Sequence, residues 1–178
     1  IDLESGASIE ADLIVTATGL DLLPLGGINF IVDGRTIDIS DAVTYKGMML
    51  SGIPNLLIAV GYTNASWTLK CDLTSQHLCK LIKFMDRNSF SYCVCNCSGD
   101  MPTAPIIDFS SGYVERSIDR FPRQGARRPW RLYQNYFFDL FAIRFGTLRN
   151  RALKFYKLPS NEKDRFFRMT RYRKNTLS

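Results

Sequence analysis

A run of five apolar residues, LLIAV at 56–60, leads directly into the polar turn GYTNAS at 61–66, and a segment of helical period starts at Trp67. A short apolar run rich in branched residues and bounded by turn residues reads as a buried strand. Strand, tight turn and helix in immediate succession is a building unit of α/β proteins, and it constrains where a ligand can be met. The first N–H groups of a helix have no partner within it, and the helix dipole adds partial positive charge there. The turn at 61–66 therefore offers backbone donors to an anionic or electron-rich ligand. The plainer role for Asn64 or Ser66 is to cap the helix with no ligand nearby.

The remaining elements follow from period and punctuation. IDLESGASIE reads as a hairpin turning at Glu4-Ser5-Gly6, and DLIVTA at 12–17 as another buried strand, broken by Thr18-Gly19. Residues 20–54 are irregular, with a hairpin turn at Asp33-Gly34 between INFIV and RTIDI. In the helix expected over 67–85, Cys71, Leu78, Leu81, Ile82 and Met85 fall at helical spacing. Lys80, Lys83 and Arg87 gather near its end, and Asn88 is the stop. Residues 89–112 lack a period and read as a loop. Ser110-Ser111-Gly112 then caps a helix over 113–120. An aromatic helix is expected over 130–145, ending at Gly146, with short helical or frayed basic sequence after it. Its rings, among them Trp130, Tyr136, Phe137, Phe138, Phe141 and Phe145, cover most of the helix circumference. That predicts burial between neighbours, with a membrane-surface anchor as the alternative.

With 178 residues, 46% of them hydrophobic, the chain can bury a core. No apolar run reaches the ~18 residues of a spanning helix, and the first residues have no signal-peptide pattern, which predicts a cytoplasmic protein, membrane-associated at most. A start at Ile1, inside a hairpin, suggests part of a longer protein. Charge is divided unevenly. Residues 1–112 hold 6 Lys/Arg and 12 Asp/Glu, whereas residues 113–178 hold 17 and 5. A basic C-terminal part suits nucleic acid, an anionic membrane or an acidic neighbour, but its aromatics follow a helical period rather than a base-stacking pattern, so nucleic acid is not expected. Five cysteines without a secretory signal predict free thiols. Cys93, Cys95 and Cys97 alternate more closely than zinc ligands do, so no metal site is expected, and His77 reads as a surface or partly packed histidine.

The segments ADLIVTATGL at 11–20, VTYKGMMLSGIPNLLIAVGYTNASWTLKCDL at 43–73 and FSSGYVERSIDRFP at 109–122 carry a resemblance. Together they resemble the C-terminal part of the flavin-containing monooxygenases, more narrowly the Baeyer-Villiger type and its mycobacterial ethionamide-activating group. ATG is common among flavoproteins, whereas the run from Lys46 to Thr68 is specific. The similarity covers most of residues 1–122 and, more loosely, extends to about 158.

The resemblance implies an α/β fold: the C-terminal portion of a flavoprotein with two dinucleotide-binding, Rossmann-like domains, followed by a mainly α-helical basic tail. Residues 1–19 would end the NADP domain, 20–88 would close the FAD domain, 89–112 would be a loop and 113–178 the tail. FAD and NADPH would be the cofactors, O₂ the oxygen source, and a ketone or thioether the substrate. The cofactor-binding positions would be Thr18, Gly19, Gly61, Asn64, Ala65, Ser66, Trp67 and Thr68.

Two patterns are absent. Neither Gly26-Gly27 nor the glycines at 47 and 52 have the G-x-G-x-x-G spacing that cradles a pyrophosphate, and His77 lacks the F-x-G-x-x-x-H-x-x-x-W surroundings of the Baeyer-Villiger fingerprint. No catalytic residue is therefore assigned to this chain. Purified as it stands, it is expected to lose FAD on gel filtration. A stoichiometric yellow cofactor that survives the column would overturn this.

Overall fold

The computed structural model describes residues 1–97, 99–107 and 112–159. The expected cap at Ser110-Ser111 and the sequence from 160 onward lie outside the described residues. In chain order the elements are β1 (Phe30–Val32), β2 (Arg35–Ile37), β3 (Thr44–Tyr45), β4 (Met49–Leu50), α1 (Trp67–Arg87), β5 (Tyr92–Cys95), β6 (Thr103–Pro105), α2 (Gly112–Glu115), β7 (Arg123–Gly125), α3 (Tyr136–Arg144) and β8 (Leu153–Tyr156). The strands form four antiparallel pairs, β1 with β2, β3 with β4, β5 with β8 and β6 with β7.

Local chemistry accounts for the turns. Asp33 and Gly34, at φ 51° and 77°, form the two-residue hairpin turn between β1 and β2. The first ten residues pair as expected, with Leu3 N donating to Ala7 O and Ile9 N to Ile1 O. Helix α1 runs from Trp67 to a C-cap at Asn88, close to the expected bounds.

Several expectations are corrected. DLIVTA at 12–17 is exposed rather than a buried strand, with Leu13 and Val15 about four-fifths accessible. LLIAV at 56–60 belongs to no strand, and Ile58 N donates to Met48 O at 2.8 Å. A buried parallel strand needs neighbours on both edges to take its backbone hydrogen bonds, and among the described residues neither run joins a sheet, the run at 56–60 making a single such bond to Met48. Among the described residues every sheet is an antiparallel pair, and no parallel Rossmann-like sheet forms. The stretch at 89–112 is not wholly a loop, because it contains β5 and β6. In β5, Cys93 and Cys95 face the core and Tyr92 and Val94 do not, a two-residue alternation too short to recognise in sequence. The C-terminal part is less helical than expected, since it supplies β7 and β8.

The aromatic helix starts at Tyr136, not at 130. Gln134, at φ 50°, cannot continue a helix, and the Asn135 side chain accepts from Phe138 N at 3.2 Å as its N-cap. Nor does this helix bury all its rings. Trp130 is buried, whereas Phe137, Phe138, Phe141 and Phe145 are 69%, 55%, 61% and 73% exposed.

The main core joins β3 and β4 (Tyr45, Met48, Met49) to α1 (Leu73, Leu81), β5 (Cys93, Cys95), β8 (Leu153) and Trp130, Ile143 and Leu148. A smaller cluster gathers Ala42, Leu50 and Ile53 under the β1–β2 hairpin. The buried face of α1 carries Lys70, Leu73, Thr74, His77 and Leu81. It is therefore rotated from the expected stripe, and Leu78 and Ile82 are exposed. The reason is α3, which packs along the Lys70–His77 side. Lys80 reaches the end of that helix, donating to Gly146 O at 2.7 Å and to the carbonyls of Ile143 and Arg144 at 3.3 Å. A lysine there satisfies carbonyls that the helix leaves unpaired. His77 is fully buried, not at the surface, and neither ring nitrogen has a hydrogen-bond partner.

Candidate functional site

Where the turn at 61–66 meets α1, the fold encloses a cavity of about 330 Å³. Leu22, Leu25, Ile58, Val60, Ile106, Phe121 and Leu132 supply its apolar lining. Three stretches contribute in chain order: the ATG segment runs into Leu22–Leu25, the run at 56–60 supplies Ile58 and Val60, and the turn brings Gly61, Tyr62 and Thr63.

Gly61 is required by contact rather than by backbone angle. A Cβ added there would collide with the Trp67 ring, so the indole packs directly on the Gly61 backbone. Replacing Gly61 with Ala is expected to expel the indole from the cavity wall and to shift tryptophan emission to the red. An unchanged spectrum would refute that contact.

The turn is held from outside. Gln134 accepts from Thr63 N through Oε1 at 3.2 Å, and its carbonyl accepts from the Asn64 amide at 3.1 Å. Ser66 is the N-cap residue of α1, yet its hydroxyl pairs with that of Thr68 at 2.9 Å and makes no capping bond. The N-cap side chain thus leaves the positive end of α1 uncapped, and the first turn holds no acidic residue.

One helical turn further on, Lys70 donates to Asp139 Oδ2 at 2.6 Å, and the Tyr62 hydroxyl donates to the same oxygen at 2.8 Å. Burial, and then the Asp139 carboxylate, push the Tyr62 phenol well above its ordinary pKa, so Tyr62 remains a donor. Burial, followed by the charges of Lys80 and Lys70, pulls the nearby Lys46 amine down to about 8. The arrangement is an apolar chamber whose polar end is a helix N-terminus backed by lysines.

Of the positions expected to meet a cofactor, Gly61 and Trp67 line the cavity. Asn64, Ala65, Ser66 and Thr68 lie on the exposed side of the turn. Thr18 and Gly19 are exposed and are not among the lining residues, whereas Leu22 and Leu23 just beyond them are. Sequence reasoning missed Tyr62, Lys70, Gln134 and Asp139. One signal was present: Lys70 stands three, four, seven and eleven residues before Leu73, Thr74, His77 and Leu81, in register with the buried face.

Among the described residues no three His, Cys, Asp or Glu side chains converge as metal ligands. Burial pushes the Cys93 thiol up to about 11 and that of Cys95 to about 12, which suppresses the thiolate a metal would need. Exposed Cys79 should alkylate readily in native protein, while Cys93 and Cys95 wait for unfolding. Modification of all five at one rate would contradict this burial.

No family model matches the chain, and no solved structure matches it. Curated relatives do. The FAD-containing monooxygenase EthA of Mycobacterium tuberculosis is 50% identical over 161 residues, 90% of this chain and 33% of its own length. The protein of the same name from Mycolicibacterium smegmatis is 47% identical over 158 residues, 88% of this chain and 32% of its own. A protein from Acinetobacter named "Probable FAD-binding monooxygenase AlmA" is 36% identical over 159 residues, again 88% of this chain and 32% of its own. The chain spans about a third of the length of the curated relatives it matches. Identity at this level over nearly the whole chain shows that the chain belongs to the EthA-like group of FAD-containing monooxygenases.

Proposed function

We propose that this chain is the C-terminal portion of an FAD- and NADPH-dependent monooxygenase of Baeyer-Villiger type, and that it seats the ring end of the flavin. One observation carries the reading: the side-chain-uncapped N-terminus of α1 adjoins an apolar cavity lined by Gly61 and Trp67. The residues fit the group. A flavin ring has a hydrocarbon edge suited to Leu22, Leu25 and Val60, and a polar edge that takes negative charge on reduction, suited to free N–H groups and the helix dipole. In this reading residues 1–19 close the NADP domain and 20–88 complete the FAD domain of a two-domain, Rossmann-like protein.

When bound, FAD supplies the redox chemistry by which one oxygen atom of O₂ is transferred to a ketone or thioether. The chain's own residues bind, orient and exclude water. The first N–H groups of α1 hold negative charge at the cavity's polar end. Trp67, pressed on Gly61, fixes one wall. Gln134 sets the turn, and the Lys70–Asp139–Tyr62 cluster ties α1 to α3 so that the turn cannot drift.

The test places Ser66→Asp in a chain extended to the relatives' length, with its Gly-rich turns. A carboxylate at the N-cap competes with the reduced flavin for the same dipole. The flavin midpoint potential is expected to fall by on the order of 20 mV. An unchanged potential with flavin still bound would sink the assignment.

A further inference from the structure

A second cavity, of about 690 Å³, adjoins the first at Asp139. Five cations line it: Lys46, Arg127, Arg128, Arg131 and Arg151. Its carboxylate, Asp139, is already engaged by Lys70 and Tyr62. Three of the arginines project from one tight turn, in which Arg127 O accepts from both Trp130 N and Arg131 N at 3.0 Å. Arg151 arrives from the segment before β8. Among the described residues none of the five cations forms an ion pair. Like charges gathered around a cavity without counter-charge repel one another, and an anion in the groove relieves that repulsion.

The groove continues into an aromatic surface. Tyr133 on its wall packs against Phe138 with ring centres 6.2 Å apart, and the Arg128 guanidinium lies over both rings, at 5.1 and 5.3 Å. Phe138 belongs to the exposed side of α3. At about 100° per residue, Phe137, Phe138, Phe141 and Phe145 occupy roughly 100° of the circumference, while Asp139, Leu140 and Ile143 point to the core side. Ala142, the next position round from Phe138, lines the groove. No helix among the described residues is long and apolar enough to cross a membrane.

We propose that this surface docks on an anionic phospholipid bilayer, with a lipid phosphate in the arginine groove and the α3 phenylalanines in the boundary between headgroups and acyl chains. The inference does not rest on the flavin reading. Charge and shape select the occupant together. A soluble phosphate ester would satisfy the arginines and leave four phenylalanines in water, whereas an apolar protein surface would cover the phenylalanines and bury the arginines without counter-charge.

The test is co-sedimentation of the 178-residue chain with vesicles of mixed phosphatidylglycerol and phosphatidylcholine, and with phosphatidylcholine alone. Binding is expected to the anionic vesicles only, and to weaken with salt. The pairs Arg128→Gln with Arg131→Gln, and Phe137→Ser with Phe141→Ser, should each weaken it about tenfold. All four positions are exposed, so an unchanged far-UV circular dichroism spectrum verifies that the variants fold. An excess of glycerol phosphate should leave vesicle binding intact. Displacement by it would make the groove a site for a free phosphate ester and overturn the membrane assignment. Equal retention on phosphatidylcholine, no retention at all, or wild-type retention of both variants would overturn it as well. The last result would leave the binding to the basic sequence beyond residue 159.

Discussion

Replacing Asp139 with Asn is expected to destabilise the protein by about 3 kcal/mol or more, the cost of leaving a buried charge without its partner. The Lys70 side chain is 5% exposed and that of Asp139 20%, and they meet at 2.6 Å. The Tyr62 hydroxyl donates to the same carboxylate oxygen, so the substitution also weakens the acceptor of a second part-buried bond. These bonds join three segments: the turn through Tyr62, α1 through Lys70 and α3 through Asp139. The loss should therefore appear as unfolding at lower urea and as loosening of the turn. The companion experiment separates charge from packing. Lys70→Met with Asp139→Leu removes both charges, and is expected to recover much of what the single change loses. A loss below about 1 kcal/mol for Asp139→Asn would mean that the pair is solvated and does not hold the site together.

His77 should make the protein sensitive to acid. Its ring is 1% exposed, and its pKa is drawn down to about 3, first by burial and then by the charges of Lys46, Lys80 and Lys70. An unfolded histidine titrates near 6.5. Because the folded pKa is the lower one, the unfolded chain binds the extra proton first as pH falls. The stability is complete above about pH 6.5 and is lost progressively down to about pH 3. A shift of this size is worth on the order of 4 kcal/mol. His77→Leu should flatten the acid limb of a stability–pH profile over that window. It should cost little at neutral pH, because it also removes two buried nitrogens that have no hydrogen-bond partner. If the limb below pH 6.5 were the same in the variant, carboxylates would be responsible for the acid response.

Elements built from neighbouring residues could be read directly from the sequence. Asp33-Gly34 turns the β1–β2 hairpin because two successive positive φ angles suit those residues. α1 shows its 3.6-residue period over 21 residues and stops at Asn88. The candidate site was legible only in part: of the eight cofactor positions that the resemblance implied, Gly61 and Trp67 line the cavity and the other six do not. The run from Lys46 to Thr68 also carried the family resemblance, in agreement with relatives up to 50% identical.

What the sequence could not express were distances between residues far apart in the chain. The apolar runs at 12–17 and 56–60 have strand composition, but a strand exists only where another chain segment takes its hydrogen bonds in a continuous ladder, and among the described residues the run at 56–60 has a single bond to Met48 and neither run joins a sheet. Composition also misjudged α3, since a helix apolar on most sides can bury only as many faces as it has neighbours, and four phenylalanines remain exposed. His77 read as a surface or partly packed histidine, but it is 1% exposed on the buried face of α1. Lys70 could be buried because Asp139, 69 residues later, supplied its counter-charge, and His77 because the neutral imidazole can stay dry. The sequence by itself determined the turn, the helix and the family, because local backbone preference and a contiguous motif are written in adjacent residues. Only the tertiary structure decided which face of α1 is inside and which charges pair, because burial and ion pairing depend on what packs opposite.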